Sequence, residues 1–267
     1  MALGGGCWQA QNKVLPGVYI RFTSTQGLGL TVGQRGTAAI CEPMSWGTVG
    51  QVMTVENGAD TTPFCGYDIT NANALFLQQI FLGTNRTSGA STVLLYRPSA
   101  SGSAQATATA GALTATALYP GVRGNDISVI VTQEADSDTF TVSTVVDGNV
   151  ADEQTGIVNV SDLQPNAWVS FSGDGAVTAT TGIALTGGLD GTVESAAYAA
   201  FLTAIEPYSF DVLIYDGTDP TVQTSMVSFV RRMNEENGVY CQLIGANFTS
   251  PDSRYVVNVM SPATLNT

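Results

Sequence analysis

The spacing of apolar positions along this chain changes period twice, and the changes divide it into parts. After Pro16-Gly17, the apolar residues Val18, Ile20 and Phe22 alternate with Tyr19 and Arg21, the two-residue period of a half-buried strand. Gly4-Gly5-Gly6 loosens the backbone ahead of it. The strand therefore sits on a tether and is open to two arrangements: pairing within its own subunit as an ordinary first strand, or addition to the exposed sheet edge of a neighbour. From residue 28 to residue 55, short apolar runs (Leu28, Leu30 and Val32; Ala38-Ala39-Ile40; residues 49–55) are broken at Gly33, Gly36, Gly47 and Gly50, which predicts short strands joined by tight turns. A helix is expected next, with Asn71 near its start, an apolar face of Leu75, Phe76, Ile80 and Leu82, and Gly83 as its stop. Val93-Leu94-Leu95-Tyr96-Arg97 reads as a compact strand ended by Pro98.

At residues 99–116 the composition turns almost wholly to Ser, Ala, Thr and Gly, and a domain boundary falls near the start of this stretch. From about Ala104 small apolar residues alternate with threonine and predict a strand. Further strands are expected at residues 127–132, 140–146, 157–160, 168–171 and 177–185, with hairpin-turn signals at Asp147-Gly148 and Asp174-Gly175. Regularly spaced short strands with no helical period between them predict an all-β sandwich or barrel.

After Gly187-Gly188-Leu189-Asp190-Gly191 the period lengthens. Val193, Ala196, Ala197, Ala200, Phe201, Ala204 and Ile205 line one face of a helix, with Thr192 as the expected N-cap and Pro207 as the stop. Residues 210–215 form a buried strand. Asp219-Pro220 is a capping residue followed by a first-turn proline, and Val222, Met226, Phe229, Val230 and Met233 mark the face of the helix that Gly238 ends. Residues 239–244 give a second strand, so strand, helix and strand form a right-handed crossover in a mainly parallel sheet. The fold class expected is mixed α/β and α+β: an α/β core domain with a mainly parallel sheet, an inserted all-β sandwich or barrel, and an extended N-terminal arm. The boundaries expected are 1–24 for the arm and linker strand, 25–100 for the first part of the core, 101–188 for the β-domain and 189–267 for the second part of the core.

Composition narrows the partners. The 267 residues are 44% hydrophobic, enough for large cores, while 9 basic against 22 acidic side chains give a formal net charge of -13. A chain this acidic offers no basic face, so neither nucleic acid nor a membrane surface is expected as a partner. Neither a signal-peptide pattern nor a run of apolar residues long enough to span a membrane is present, and a soluble protein made in a cytoplasm is expected. Cys7, Cys41, Cys65 and Cys241 contain no Cys-x-x-Cys pair and are expected as free thiols. Histidine is absent, which removes the commonest general base, nucleophile partner and transition-metal ligand. Low charge with many Gly, Ala, Ser and Thr suits surfaces that meet other protein surfaces.

Candidate chemistry is sparse. Asp216 and Asp219 follow the strand at residues 210–215, where open α/β sheets bind ligands, and an aspartate pair could hold a divalent ion or act as acid and base. A helix cap at Asp219 and a turn at Asp216-Gly217 account for both without a ligand. Glu134, Asp136 and Asp138 form an acidic loop that lacks the spacing of a calcium loop. Neither Gly4-Gly5-Gly6 nor Gly187-Gly188 has a phosphate-loop pattern. Arg231-Arg232 complements the dipole near the end of its helix. No catalytic residue, metal ligand or cofactor site is assigned, and the chain is not expected to be an enzyme; a hydrolase using Asp216 or Asp219 is the lesser alternative.

Three stretches carry a resemblance: Gly5-Gly6-x-Trp8-x-x-Gln11-Asn12-Lys13-x-x-Pro16-Gly17-x-Tyr19-Ile20, Leu94-Leu95-Tyr96-Arg97, and Ala117-Leu118-Tyr119-Pro120-Gly121-Val122-Arg123-Gly124-Asn125. Together with Gly188-Leu189-Asp190-Gly191 they are similar, in order, to the contractile tail sheath proteins of bacteriophages and of phage-tail-like bacteriocins from Gram-positive hosts. The resemblance implies a non-enzymatic subunit of the virion tail, or of a bacteriocin particle, assembled in the host cytoplasm. It implies a helical polymer of this chain around a tail tube, partnered by the tube protein and by baseplate and tail terminator proteins. Contraction of that polymer drives the tube through a bacterial envelope; a sheath of a related injection or secretion system, or another β-rich virion protein, is the alternative. It also implies that the N-terminal arm joins a sheet in a neighbouring subunit, a role that falls on Trp8, Val14, Pro16, Val18, Ile20 and Phe22. Family members continue beyond the equivalent of Thr267, so the expectation is a chain that stops inside the core, before the strands with which the arms pair.

Overall fold

A computed structural model describes residues 36–83, 88–249 and 251–260. The six arm residues Trp8, Val14, Pro16, Val18, Ile20 and Phe22, the strand expected around them and the apolar run at residues 28–32 lie outside that range. In chain order, the first elements are β1 (Thr37–Cys41), β2 (Val52–Glu56), a four-residue helix α1 (Thr62–Cys65), α2 (Leu75–Leu82) and β3 (Thr92–Tyr96). Seven strands follow: β4 (Thr107–Ala110), β5 (Leu113–Ala117), β6 (Ile127–Gln133), β7 (Phe140–Val146), β8 (Asn149–Ile157), β9 (Val169–Ser172) and β10 (Thr180–Ala184). The last elements are α3 (Ser195–Ile205), β11 (Val212–Tyr215), α4 (Pro220–Glu235), β12 (Gln242–Ala246) and β13 (Val256–Val259).

A six-stranded sheet runs in the order β13-β12-β11-β1-β3-β2, with every neighbouring pair parallel except β2 and β3. Successive residues of a strand point to opposite faces, and here both faces are covered. Ala39, Cys41, Leu94 and Tyr96 pack with Phe201 and Ile205 of α3 and with Met226 and Val230 of α4. Ala38, Ile40, Val93 and Leu95 pack on the other side with Leu77 and Phe81 of α2 and Cys65 of α1. Two-sided burial is why β1 and β3 read as continuous apolar runs. The strands between residues 107 and 184 form two further sheets, β10-β6-β7-β8 and β4-β5-β9, which share one apolar core including Leu113, Ile127, Val142, Val169 and Leu185.

Several local expectations change. The strand expected from Ala104 is a hairpin, β4 and β5, turned at Gly111. Residues 157–160 do not form a strand: β8 ends at Ile157, and the chain enters a short 3-10 turn whose backbone N–H groups are taken by the side chains of Asn159 and Asp162. Thr192 does not cap α3, because its backbone is already paired with Ser101; the helix begins at Ser195 without a side-chain cap. In α2 the buried positions are Leu77 and Phe81, whereas Leu75 and Leu82 face outward. The α4 reading stands in detail: Asp219 caps it, and Val222, Met226, Phe229, Val230 and Met233 are all buried.

Candidate functional site

The carboxyl ends of β1 and β11 lie side by side where the strand order reverses, the usual ligand position in such sheets. Ile40 pairs with Ile214, so the register continues to place Glu42 opposite Asp216. Glu42 Oε2 is buried with no hydrogen-bond partner among the described residues. Burial first, then the neighbouring charge of Asp216, push the Glu42 carboxyl up to about 8. The Cys41 thiol and the Tyr198 hydroxyl are pushed up as well, each chiefly by burial. Asp219 behaves differently: it accepts from Ser195 Oγ at 2.6 Å and from Thr221 N at 2.8 Å, and these bonds hold its carboxyl below the usual range. A protonated Glu42 is no general base, and Asp219 is occupied as a cap. Among the described residues no cluster of three or more His, Cys, Asp or Glu side chains could hold a metal. In the acidic loop the Glu134 carboxylate accepts from Thr139, Thr141 and Gly156, so it serves its own hairpin. Glu42 escaped the sequence reading, although an acid set directly behind the run Ala38-Ala39-Ile40-Cys41 was the available signal.

A constellation of buried polar and aromatic groups lies instead where the β-domain joins the parallel sheet. The chain enters and leaves this domain as a paired ribbon. Backbone groups of Ser101 and Thr192 exchange hydrogen bonds at 2.8 and 2.9 Å, Ala104 and Leu189 at 2.9 and 3.0 Å, and Thr107 and Thr186 at 2.8 and 3.0 Å. Beside the ribbon, Trp46 leaves the loop after β1 and enters the core of the β-domain, where it is 1% exposed. Its ring meets Tyr119 edge-on at 5.2 Å and tilts against Trp168 at 4.9 Å.

Two buried arginines complete the junction. Arg97, at the end of β3, donates to the Gly47 carbonyl at 2.8 Å and to the Pro120 carbonyl at 2.6 Å. Burial lowers its pKa, opposed by the charge of Asp190. Arg123 donates from Nε to the Gly66 carbonyl at 2.9 Å, forks onto Asp147 at 2.8 and 2.6 Å, reaches Asp126 at 2.9 Å and lies 4.2 Å over the Tyr67 ring. Burial opposes its charge, but the bonds to Asp147 and Asp126 outweigh burial and raise its pKa. Asp190 accepts from Ser45 Oγ at 3.1 Å and from Val122 N at 2.8 Å. Gly121, at φ 138°, runs so close to the body that a Cβ there would stand 2.0 Å from the Ser45 carbonyl oxygen. The two glycine-rich stretches noted in the sequence, residues 117–125 and 188–191, therefore meet at this junction and fix it from the β-domain side. Trp46, Arg97 and Arg123 were not singled out as site residues; their partners are far off in sequence, where periodicity carries no signal.

Comparisons with known proteins follow the same division. Residues 35–97 match the Tail sheath protein Gp18 domain III N-terminal region, residues 101–190 the Phage tail sheath protein beta-sandwich domain, and residues 191–265 the Phage tail sheath protein central domain. The chain is 31% identical over 276 residues to protein YqbK and 28% identical over 276 residues to the phage-like element PBSX protein XkdK, both of Bacillus subtilis (strain 168). It is covered to 96% in each comparison but spans only 57% of the length of either relative. Among solved structures it is similar to the sheath tail protein of Desulfitobacterium hafniense (TM-score 0.81, 35% identity, 91% of this chain and 56% of that one). It is also similar to the sheath tail protein of Listeria innocua (TM-score 0.71, 30% identity, 85% of this chain and 51% of that one).

Proposed function

Because the chain belongs to the phage tail sheath family, whose members are structural proteins, we propose that it polymerises helically around a tail tube and contracts to drive the tube through a bacterial envelope. The observation that carries this reading is the run of three sheath domain matches, in chain order, onto the two parts of the sheet and the sandwich inserted between them. Its partners in this role are further copies of itself, the tail tube protein, and the baseplate and terminator proteins at the tail ends. The particle is a virion tail or a phage-tail-like particle; the likeness to a protein of a phage-like element supports the second form. Head-to-tail contacts of one surface with a different one do not close on themselves and generate a helical filament. The extended polymer stores the work of contraction as a metastable packing behind a kinetic barrier.

Negative-stain microscopy of the particle, or of the purified full-length protein, tests this. Hollow helical polymers in two lengths are expected, and a stable monomer of the full-length protein would overturn the reading. The N-terminal segment supplies the subunit link, with Trp8, Val14, Pro16, Val18, Ile20 and Phe22 as its contact residues. Deleting residues 1–22 is expected to abolish polymers while circular dichroism and melting of the monomer stay as in the intact chain; tubes formed by the deletion variant would remove the arm from the mechanism.

A further inference from the structure

The tripeptide Glu-Asn-Gly occurs twice in the chain, as Glu56-Asn57-Gly58 and as Glu236-Asn237-Gly238. Asn-Gly is the dipeptide in which an asparagine side chain is most open to attack by the backbone nitrogen that follows it, because glycine puts no side chain in the way. All four Asn and Gly residues are exposed, and neither glycine N–H has an acceptor among the described residues. The asparagines are held differently. Asn57 continues the ladder of β2 and β3: its N–H donates to the Ser91 carbonyl at 2.9 Å, one residue on from the paired Glu56 and Thr92. Its side-chain amide donates to the Ala90 carbonyl at 3.3 Å, and Ala59 N closes the turn on the Glu56 carbonyl at 3.1 Å. Asn237 lies beyond the last residue of α4, where helices fray. Its N–H reaches the Arg232 carbonyl only at 3.3 Å, and its side-chain amide donates to Glu206 Oε1 at 3.4 Å and to Met233 Sδ at 3.3 Å.

We infer that Asn237-Gly238 is a site of spontaneous deamidation left open by the fold, and that strand pairing slows the same reaction at Asn57-Gly58. The Gly238 nitrogen attacks Asn237 Cγ, its proton leaves with the departing amide nitrogen as ammonia, and a five-membered succinimide closes. Water then adds to either ring carbonyl and opens the ring to aspartate or to isoaspartate, whose main chain runs through the former side-chain carbon. One water is consumed and one ammonium released for each carboxylate formed, with no change of oxidation state. The new charge stands at the carboxyl end of α4, after Glu235 and Glu236, where the helix dipole disfavours an anion. Glu206, at the end of α3, accepts the Arg232 fork at 2.6 and 3.0 Å, and this pair ties α3 to α4. A carboxylate at position 237 repels Glu206 and competes with it for Arg232, so the tie loosens.

The repeated tripeptide supplies an internal control, since a difference in rate between the two sites comes from their surroundings. The full chain is incubated at neutral pH in water enriched in heavy oxygen, returned to ordinary water, digested and read by mass spectrometry. Label is expected at residue 237, as aspartate and isoaspartate, about fivefold faster than at residue 57, the weight of one further hydrogen bond to be opened. In urea the two sites should react at about equal rates. Asn237→Gln, whose longer side chain does not close the five-membered ring, should take up no label at 237 and leave the rate at 57 unchanged. Equal labelling of the folded chain at both sites, faster labelling at 57, or label at neither would overturn the inference. Asn237→Asp is expected to melt about 2 °C below Asn237→Gln; equal melting of the two variants would overturn the loosening of α3 from α4.

Discussion

Replacing Trp46 with alanine is expected to destabilise the protein by about 4 kcal/mol and to lower Tm by about 10 °C. The side chain is fully enclosed, comes from the loop after β1 and fills the core of the β-domain. Its removal leaves a cavity bounded by Tyr119, which also bonds the Thr48 hydroxyl, and Trp168, which also meets Arg123, and these contacts oppose collapse into it. The loss also removes the side chain that the loop after β1 sends into the sandwich core. Calorimetry should therefore show the single transition of the parent splitting into two, one for the sandwich and one for the parallel sheet. Trp46→Phe should recover most of the loss by keeping an aromatic ring between the same partners. A Tm shift in the alanine variant below about 3 °C, with one transition retained, would show that the junction is held by its arginines alone.

The second large effect is a decline of stability on the alkaline side, carried by Glu42. In the folded protein this carboxyl keeps its proton up to about 8, whereas in the unfolded chain it releases it at the ordinary glutamate value. The folded state binds the extra proton, so the contribution is complete below about pH 4 and is lost as the pH rises to about 8. Among the described residues, the groups that act on Glu42 and its neighbours are Asp216, Cys41, Tyr198 and Tyr215, none of them cationic. Allowing for the partial exposure of the side chain, the loss between pH 5 and pH 9 amounts to roughly 3 kcal/mol. Glu42→Gln has no proton to lose and should give urea midpoints nearly level over that range, above those of the parent at pH 9. A parent protein equally stable at pH 5 and pH 9 would refute the assignment. Acid acts through other groups: Asp147, Asp219 and Glu206 are held below their usual range by Arg123, Ser195 and Arg232 respectively, so their contributions disappear only as the pH falls toward and below about 4.

Local chemistry was legible where one residue type does one job. The Asp219-Pro220 start and five-residue apolar face of α4 are written in adjacent turns, and the runs that became β1 and β3 are apolar without interruption because both faces of their sheet are covered. Short segments were misread where a side chain competes with the backbone, as Asn159 and Asp162 do after β8, or where a single glycine reverses a strand, as at residue 111. The junction was half legible. Its glycine-rich stretches stood out as motifs, yet Trp46 looked like one aromatic in a loop of glycine and serine, and Arg97 like the end of a strand. Their roles depend on contacts such as Ser45 with Asp190, 145 residues apart, and chain periodicity does not report separations of that size. The same holds for Glu42 and Asp216, which become neighbours only through the register of β1 and β11.

The paired ribbon at residues 101–107 and 186–192 gives the junction a mechanical anisotropy. Both of its strands run from the sheet into the sandwich, so tension between the two is carried along covalent backbone, and none of the three hydrogen-bonded pairs has to open. A two-stranded ribbon resists bending in its own plane but folds readily about its flat face. Trp46, Arg97 and Arg123 brace the neck beside it, since each ties the body to the sandwich outside the ribbon. With the brace in place a load applied to the sandwich turns the whole subunit; without it, the same load would be absorbed in the neck.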